Sequence, residues 1–148
     1  MGRSSRRRAR EAAFRALYQM DIGGAEAEEA LEDALTEADL EEKTRAYAER
    51  LFLGTQEHLK SIDTRIATHA HGYTLPRLAA VDRALLRLGI YEILFEPDVP
   101  PAVVINEIVE MAKRFSTEDS APFINGILGA IVKEENLAPH KPRESTNP

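Results

Sequence analysis

The sequence predicts an all-α protein of six or seven helices. Good helix-forming residues dominate its 148 positions, and no stretch alternates apolar and polar residues between turn signals as a half-buried strand would. Several segments instead place apolar residues three or four positions apart, which gives a helix one apolar face. With 43% hydrophobic and 30% charged residues, the composition is typical of a soluble globular domain.

The composition also excludes several classes of protein. The chain has no cysteine, so disulfides, zinc–thiolate sites, iron–sulfur clusters and thiol nucleophiles are excluded. No apolar stretch approaches the roughly 20 residues of a membrane helix, and the basic N-terminus lacks the apolar segment of a signal peptide. We therefore expect a protein of a bacterial-type cytosol without membrane contact.

Three helices are expected in the N-terminal half. The first spans about residues 4–21, between serines that can cap its start and a glycine pair that ends it. Residues 26–35 predict a short acidic helix. A third helix begins near Asp39 and keeps its apolar spacing as far as residue 66, and Gly54 could either kink it or break it. The sequence alone leaves that choice open.

The connector at residues 72–76 predicts a division between an N-terminal subdomain, about 4–72, and a C-terminal subdomain, about 73–136. A strongly apolar helix follows over about residues 81–95.

After a proline-rich turn, Pro101 suits the first turn of a helix that runs to Phe115. A polar joint then leads into a last apolar helix. The residues after Asn136, 137–148, are rich in proline and are expected to be disordered.

Charge is distributed unevenly along the chain. The net charge is −6, yet residues 1–20 contain six arginines and one glutamate. Residues 21–63 contain thirteen acidic and four basic side chains. A basic N-terminal arm on an acidic protein suggests nucleic-acid contact through that arm.

Tyr18 shares the polar face of the first helix with Arg7. The opposite face carries an apolar stripe of Ala9, Ala13, Ala16, Leu17 and Met20. Guanidinium groups pair with phosphates and aromatic rings stack on unpaired bases, so this face suits single-stranded RNA. On the residues alone a second interpretation stays open, a solvated face in which Glu11 pairs with a neighbouring arginine.

The last helix offers a second candidate surface. Asp119, Phe123, Gly126 and Ala130 fall on one side of it, beside the apolar stripe. Gly126 and Gly129 would let another backbone approach closely, which favours helix packing. The same small residues beside Phe123 could equally line a shallow groove.

No catalytic constellation is evident. His69 and His71 are two positions apart and would diverge on a helix, and no phosphate loop, nucleophile elbow or zinc motif is present. We expect a protein that is not an enzyme and that needs no cofactor and no metal ion.

Several motifs together resemble the NusB family of bacterial transcription antitermination factors, from Arg6 to about Lys133. Any one of them is weak, but their order and spacing are specific. They are the arginine run with Glu11 at 6–11, Ala-Leu-Tyr-Gln at 16–19, Val-Asp-Arg-Ala-Leu-Leu-Arg-Leu-Gly-Ile-Tyr-Glu at 81–92, Asp-Val-Pro at 98–100, Ile-Asn-Glu at 105–107, Ala-Lys-Arg-Phe at 112–115, Glu-Asp-Ser at 118–120 and Phe-Ile-Asn-Gly-Ile-Leu at 123–128.

The resemblance implies two small three-helix bundles packed together. It also implies an RNA-binding factor that recognises the boxA element of ribosomal RNA operon leaders together with ribosomal protein NusE. In that family the pair acts with RNA polymerase and other Nus factors to read through terminators, and some members form homodimers. From the residues alone, a helical protein–protein module without RNA binding is the alternative.

Matching positions imply an RNA surface of Arg6, Arg7, Arg8, Arg10, Tyr18, Lys113, Phe115, Asp119 and Phe123. They imply a NusE-contacting region that includes Arg77, Asp82 and Arg83. Where some members carry a basic residue that meets RNA, this chain has Ala102, which departs from the family pattern.

Overall fold

The computed structural model describes residues 3–142, which form seven α-helices and one short 3₁₀ helix, with no strand among them. This confirms the all-α prediction. No helix within these residues is long and apolar enough to cross a membrane. The elements are α1 (Arg3–Gly23), α2 (Ala27–Ala38), α3 (Glu42–Glu57), α4 (Leu59–His69), the 3₁₀ helix (Leu75–Arg77), α5 (Ala80–Phe95), α6 (Pro101–Phe115) and α7 (Ser120–Glu134).

The predicted third helix is two helices, and the break lies at His58 rather than at Gly54. Gly54 is buried inside α3, and its carbonyl oxygen accepts a hydrogen bond from the His58 N–H at 3.1 Å. The Thr55 hydroxyl donates to the Leu51 carbonyl oxygen at 2.6 Å, a bond that tends to bend a helix. α3 ends at Glu57 and α4 begins at Leu59, so only His58 separates the two helices.

Contacts group the described residues into two compact units, with the boundary between His58 and Leu59. In the first unit α1 packs against both α2 and α3. The core of this unit is built from large apolar side chains, namely Phe14, Leu17, Leu35, Tyr47, Leu51 and Phe52.

In the second unit α5 packs against α4, α6 and α7. Gly89 permits this packing, because a Cβ there would lie 3.1 Å from Ile108 Cγ1 and 3.2 Å from Leu128 Cδ1. Arg87 on α5 forms a two-pronged ion pair with Asp63 on α4, with N···O distances of 2.9 and 3.0 Å. These contacts place α4 in the second unit, although it precedes the connector at residues 72–76 where the sequence predicts the division. The subdomain limits drawn from the sequence stay a prediction.

Part of the C-terminal tail lies beside α6. The carbonyl oxygen of Pro139 accepts a hydrogen bond from the Ala102 N–H at 2.7 Å. This bond occupies one of the backbone donors that a helix start leaves unpaired. Residues 143–148 of the tail predicted to be disordered lie outside the described part of the chain.

Candidate nucleic-acid interface

The exposed face of α1 carries the arginines that the sequence singled out. Arg7, Arg8 and Arg15 are exposed and Arg6 is half-buried. On the opposite side Ala9, Ala13, Ala16 and Leu17 are buried, as the stripe predicted, and Met20 is half-buried.

Arg8 is held by the backbone at the end of α2. Its Nη2 donates to the Ala38 carbonyl oxygen at 2.8 Å and lies 3.5 Å from that of Asp39. Asp39 has a φ of 51°, the left-handed conformation that often ends a helix. A cation at this position satisfies unpaired carbonyls and complements the helix dipole, so Arg8 has a structural task besides its charge.

Arg6 lies over an aromatic ring. Its guanidinium carbon is 5.2 Å from the centre of the buried Tyr47 ring, and that of Arg50 is 4.9 Å from the same centre. Both distances are within the range of cation–π attraction. The ring therefore orients two cations in the first unit.

Tyr18 stacks on Phe14 one helical turn earlier. The ring centres are 6.0 Å apart with 28° between the planes. Phe14 is 4% exposed, whereas Tyr18 is half-buried. Tyr18 is thus neither a fully exposed side chain nor a core residue, because a core ring supports it and part of its surface faces solvent.

Arg10 differs from its neighbours because it is only 2% exposed. The sequence grouped it with the RNA-binding arginines, but in the structure it belongs to the interior. The physical reason is that α1 packs against two helices, so its buried face is wider than the alanine stripe. Arg10 is therefore not accessible on the candidate surface.

In the second unit a cavity of about 310 Å³ gathers four of the predicted site residues. Arg77 and Asp119 are exposed, Phe123 is half-buried and Asp82 is buried. The complete lining is Tyr73, Arg77, Leu78, Ala79, Asp82, Thr117, Asp119, Ser120 and Phe123.

Tyr73 is a member of this cavity that the sequence reasoning missed. Its ring meets Phe123 edge to face, with 6.0 Å between the ring centres, and the residue is 56% exposed. The available signal was a tyrosine inside a short polar connector, where no core requires an aromatic ring.

Asp82 and Arg83 were expected at a partner surface, but each makes internal contacts. Asp82 is 7% exposed and accepts hydrogen bonds from the hydroxyls of Ser116 and Ser120 at 2.7 and 2.8 Å. Arg83 is half-buried and donates to the carbonyl oxygens of Leu75 and Leu78, both at 2.9 Å. Both side chains therefore hold loops in place, which leaves Arg77 as the most exposed of the three.

Lys113 and Phe115 lie near the end of α6. They line neither this cavity nor a second cavity that shares Tyr73 and Phe123 with it. Lys113 is exposed, with its Nζ 3.2 Å from Oε1 of Glu110. The Arg114 guanidinium carbon lies 4.8 Å from the centre of the half-buried Phe115 ring. Within residues 3–142 no three His, Cys, Asp or Glu side chains are grouped to hold a metal ion.

Cationic side chains beside aromatic rings on an all-helical scaffold define a class of protein suited to binding nucleic acid. A family profile described as "NusB family" matches residues 7–133. A curated relative from Symbiobacterium thermophilum, "Transcription antitermination protein NusB", is 47% identical over 87% of this chain and 90% of its own length. The protein of that name from Nitratiruptor sp. is 47% identical over 88% and 94%. The chain belongs to the NusB family.

Solved structures agree with this assignment. The NusB of T. maritima is similar with a TM-score of 0.82 and 44% identity, covering 87% of this chain and 91% of that one. A chain in a crystal structure of antitermination factors NusB and NusE in complex with dsRNA gives a TM-score of 0.83 at 31% identity, covering 90% and 99%.

Proposed function

We propose that the chain is an RNA-binding transcription antitermination factor. It binds boxA-type RNA of ribosomal RNA operon leaders together with ribosomal protein NusE and helps RNA polymerase to read through terminators. The observation that carries this proposal is a family match over residues 7–133. This range includes most of α1, with its arginines, and the cavity that Tyr73 and Phe123 line. A solved relative, the antitermination factor NusB in complex with NusE and dsRNA, supports it.

The arginines of α1 supply the electrostatic part of RNA binding. Phosphate contacts dominate the affinity of nucleic-acid complexes and make it sensitive to salt. Arg7 and Arg8 are exposed on this helix, and Arg6 is steadied by the Tyr47 ring. Since residues 21–63 are strongly acidic, a polyanion is drawn to α1 rather than to the surfaces that follow it.

Aromatic side chains supply the part of the RNA affinity that does not depend on charge. The partly exposed rings of Tyr18, Phe115 and Phe123 are available to stack on unpaired bases. Asp119 can accept hydrogen bonds from base edges, and Lys113 adds a cation.

The NusE-binding surface is centred on the exposed Arg77. Arg83 fixes the carbonyl oxygens at both ends of the 3₁₀ helix that carries Arg77. Asp82 anchors the beginning of α5 to the α6–α7 joint. These two residues act on NusE binding by positioning the surface rather than by touching the partner.

The protein acts as an adaptor without catalysis and, as a bacterial transcription factor, works in the cytoplasm. Family membership favours this function over a helical protein–protein module that does not bind RNA.

A titration of labelled boxA-like RNA tests the proposal. It is carried out with and without NusE, at two salt concentrations, with a scrambled RNA of equal length as control. We expect preference for boxA, tighter binding with NusE and weaker binding at high salt. Equal affinity for both RNAs in the presence of NusE would refute the proposal.

A further inference from the structure

A second cavity lies next to the cavity that Arg77 and Asp119 line, and the two cavities share two lining residues. It has a volume of about 400 Å³, and Tyr73 and Phe123 line both cavities. The edge-to-face pair of rings therefore stands between a cavity of mixed polar and apolar lining, called the polar cavity below, and one lined mostly by apolar groups, called the apolar cavity. The complete lining of the second cavity is His69, Ala70, His71, Tyr73, Pro122, Phe123, Gly126, Ile127 and Ala130.

Gly126 on α7 leaves the second cavity open. A Cβ added at Gly126 would meet no atom within 4 Å, and the same is true of Gly129. Neither glycine therefore serves helix packing within the second unit, whereas Gly89 does. Of the two interpretations that the sequence allowed, the structure favours a groove beside Phe123.

We propose that the Tyr73–Phe123 pair separates two neighbouring RNA bases. One base enters the polar cavity, and the other enters the apolar cavity beside Gly126 and Ala130. Tyr73 becomes a base-stacking residue of the RNA surface together with Phe123. This inference rests on the proposed RNA-binding function and adds Tyr73 and the cavity beside Gly126 to the RNA surface.

The two cavities offer different chemical groups to the two bases. The polar cavity offers the Thr117 hydroxyl and the Asp119 carboxylate, which can form hydrogen bonds with base edges. The apolar cavity offers ring surface and small side chains, and stacking of this kind tolerates any base. No carboxylate lines the apolar cavity, although His69 Nε2 lies 3.1 Å from Oε2 of Glu134 beyond it. An RNA backbone therefore meets little repulsion from the lining of the apolar cavity.

The two open glycines provide a matched test. Gly126→Leu fills the apolar cavity, whereas Gly129→Leu places the same side chain on the same helix outside both cavities. Each variant is titrated with boxA-like RNA as the isolated full chain. We expect Gly126→Leu to weaken binding about ten- to hundredfold, the size of one lost stacking contact, and Gly129→Leu to bind like the parent.

The salt dependence of RNA binding and the melting temperature distinguish the loss of a stacking contact from the loss of a phosphate contact or of folding stability. The slope of log affinity against log salt should stay at the parent value in Gly126→Leu, because no phosphate contact is removed. Both leucine variants should melt at or above the parent temperature, because leucine is the better helix former.

Tyr73→Ala and Tyr73→Phe give an independent measurement that leaves α7 intact. We expect about the same loss for Tyr73→Ala and near-parent binding for Tyr73→Phe, since the ring is what stacks. Parent-like RNA binding by both Gly126→Leu and Tyr73→Ala would overturn the inference. So would a loss of NusE capture in Gly126→Leu with RNA binding unchanged, because the cavity would then hold a protein side chain. If the parent shows no preference for boxA in the presence of NusE, the proposed function fails instead.

Discussion

The Ser120 hydroxyl donates a hydrogen bond to the Asp82 carboxylate, with 2.8 Å between Oγ and Oδ2. Ser116 donates to the other carboxylate oxygen at 2.7 Å. The first turn of α5 is thereby tied to both ends of the joint between α6 and α7. Asp82, which the family resemblance places in the partner-contacting region, thus also holds the start of α5 against this joint.

Asp82→Ala should lower the free energy of unfolding by about 2–3 kcal/mol, because hydrogen bonds to a charged group are lost and two hydroxyls lose their acceptor. Asp98→Ala, which removes an exposed aspartate, should change it by less than about 0.5 kcal/mol. Urea unfolding measures both. A parent-like midpoint for Asp82→Ala would mean that these hydrogen bonds contribute little stability.

Arg77→Ala tests whether the NusE-binding surface is distinct from the hydrogen bonds that Asp82 accepts. Arg77 is exposed, so its removal should leave the melting temperature near that of the parent while weakening NusE capture by the full chain. Thermal melting and a NusE titration of the same sample check the two effects. Unchanged NusE affinity would move the partner surface away from the 3₁₀ helix.

Arg7→Ala and Arg8→Ala test whether the arginines of α1 contact RNA phosphates. Each should flatten the log–log salt slope of RNA binding by about 0.7 if it meets one phosphate. Arg8→Ala should in addition lower the free energy of unfolding by about 0.5–1.5 kcal/mol, because its bond to the Ala38 carbonyl is lost. Arg45→Ala, which removes an arginine paired with Glu32 and Glu49, serves as the control and should keep the parent slope. Parent slopes in both arm variants would remove the arm from the RNA site.

Tyr18→Ala should weaken RNA binding roughly ten- to hundredfold, the effect of one lost stacking contact. Phe14→Ala should instead lower the free energy of unfolding by about 3–5 kcal/mol, because that ring is buried. RNA titration and thermal melting of both variants make the comparison. If Tyr18→Ala loses as much stability as Phe14→Ala, the tyrosine is a core residue.

Arg10→Ala should destabilise the first unit and leave the salt slope unchanged. Arg10 is 2% exposed, so its removal takes away packing and internal contacts rather than a phosphate contact. Melting followed by a salt-dependent RNA titration distinguishes the two roles. A flatter slope at an unchanged melting temperature would return Arg10 to the RNA surface.

The sequence by itself determined the helical content, the limits of α6, the buried stripe of α1 and the family. Local chemistry explains this success. Pro101 and the polar joint set the ends of one helix, and a spacing of three and four residues sets the buried face of another. Arg7 and Arg8 stay exposed because they lie away from that stripe.

Only the tertiary structure decided the burial of Arg10, the hydrogen bonds of Asp82 and the ring contact of Tyr73. Each depends on groups distant in sequence, and helical periodicity contains no information about them. Arg10 is buried because α1 packs against two helices, and Asp82 is buried because two serines more than thirty residues away supply its hydrogen bonds. Tyr73 meets the Phe123 ring only because the folded chain brings these two distant positions together. Patterns along one helix predict which side faces inward, but the width of the buried face and the partners of a polar group are set by whichever elements pack against it.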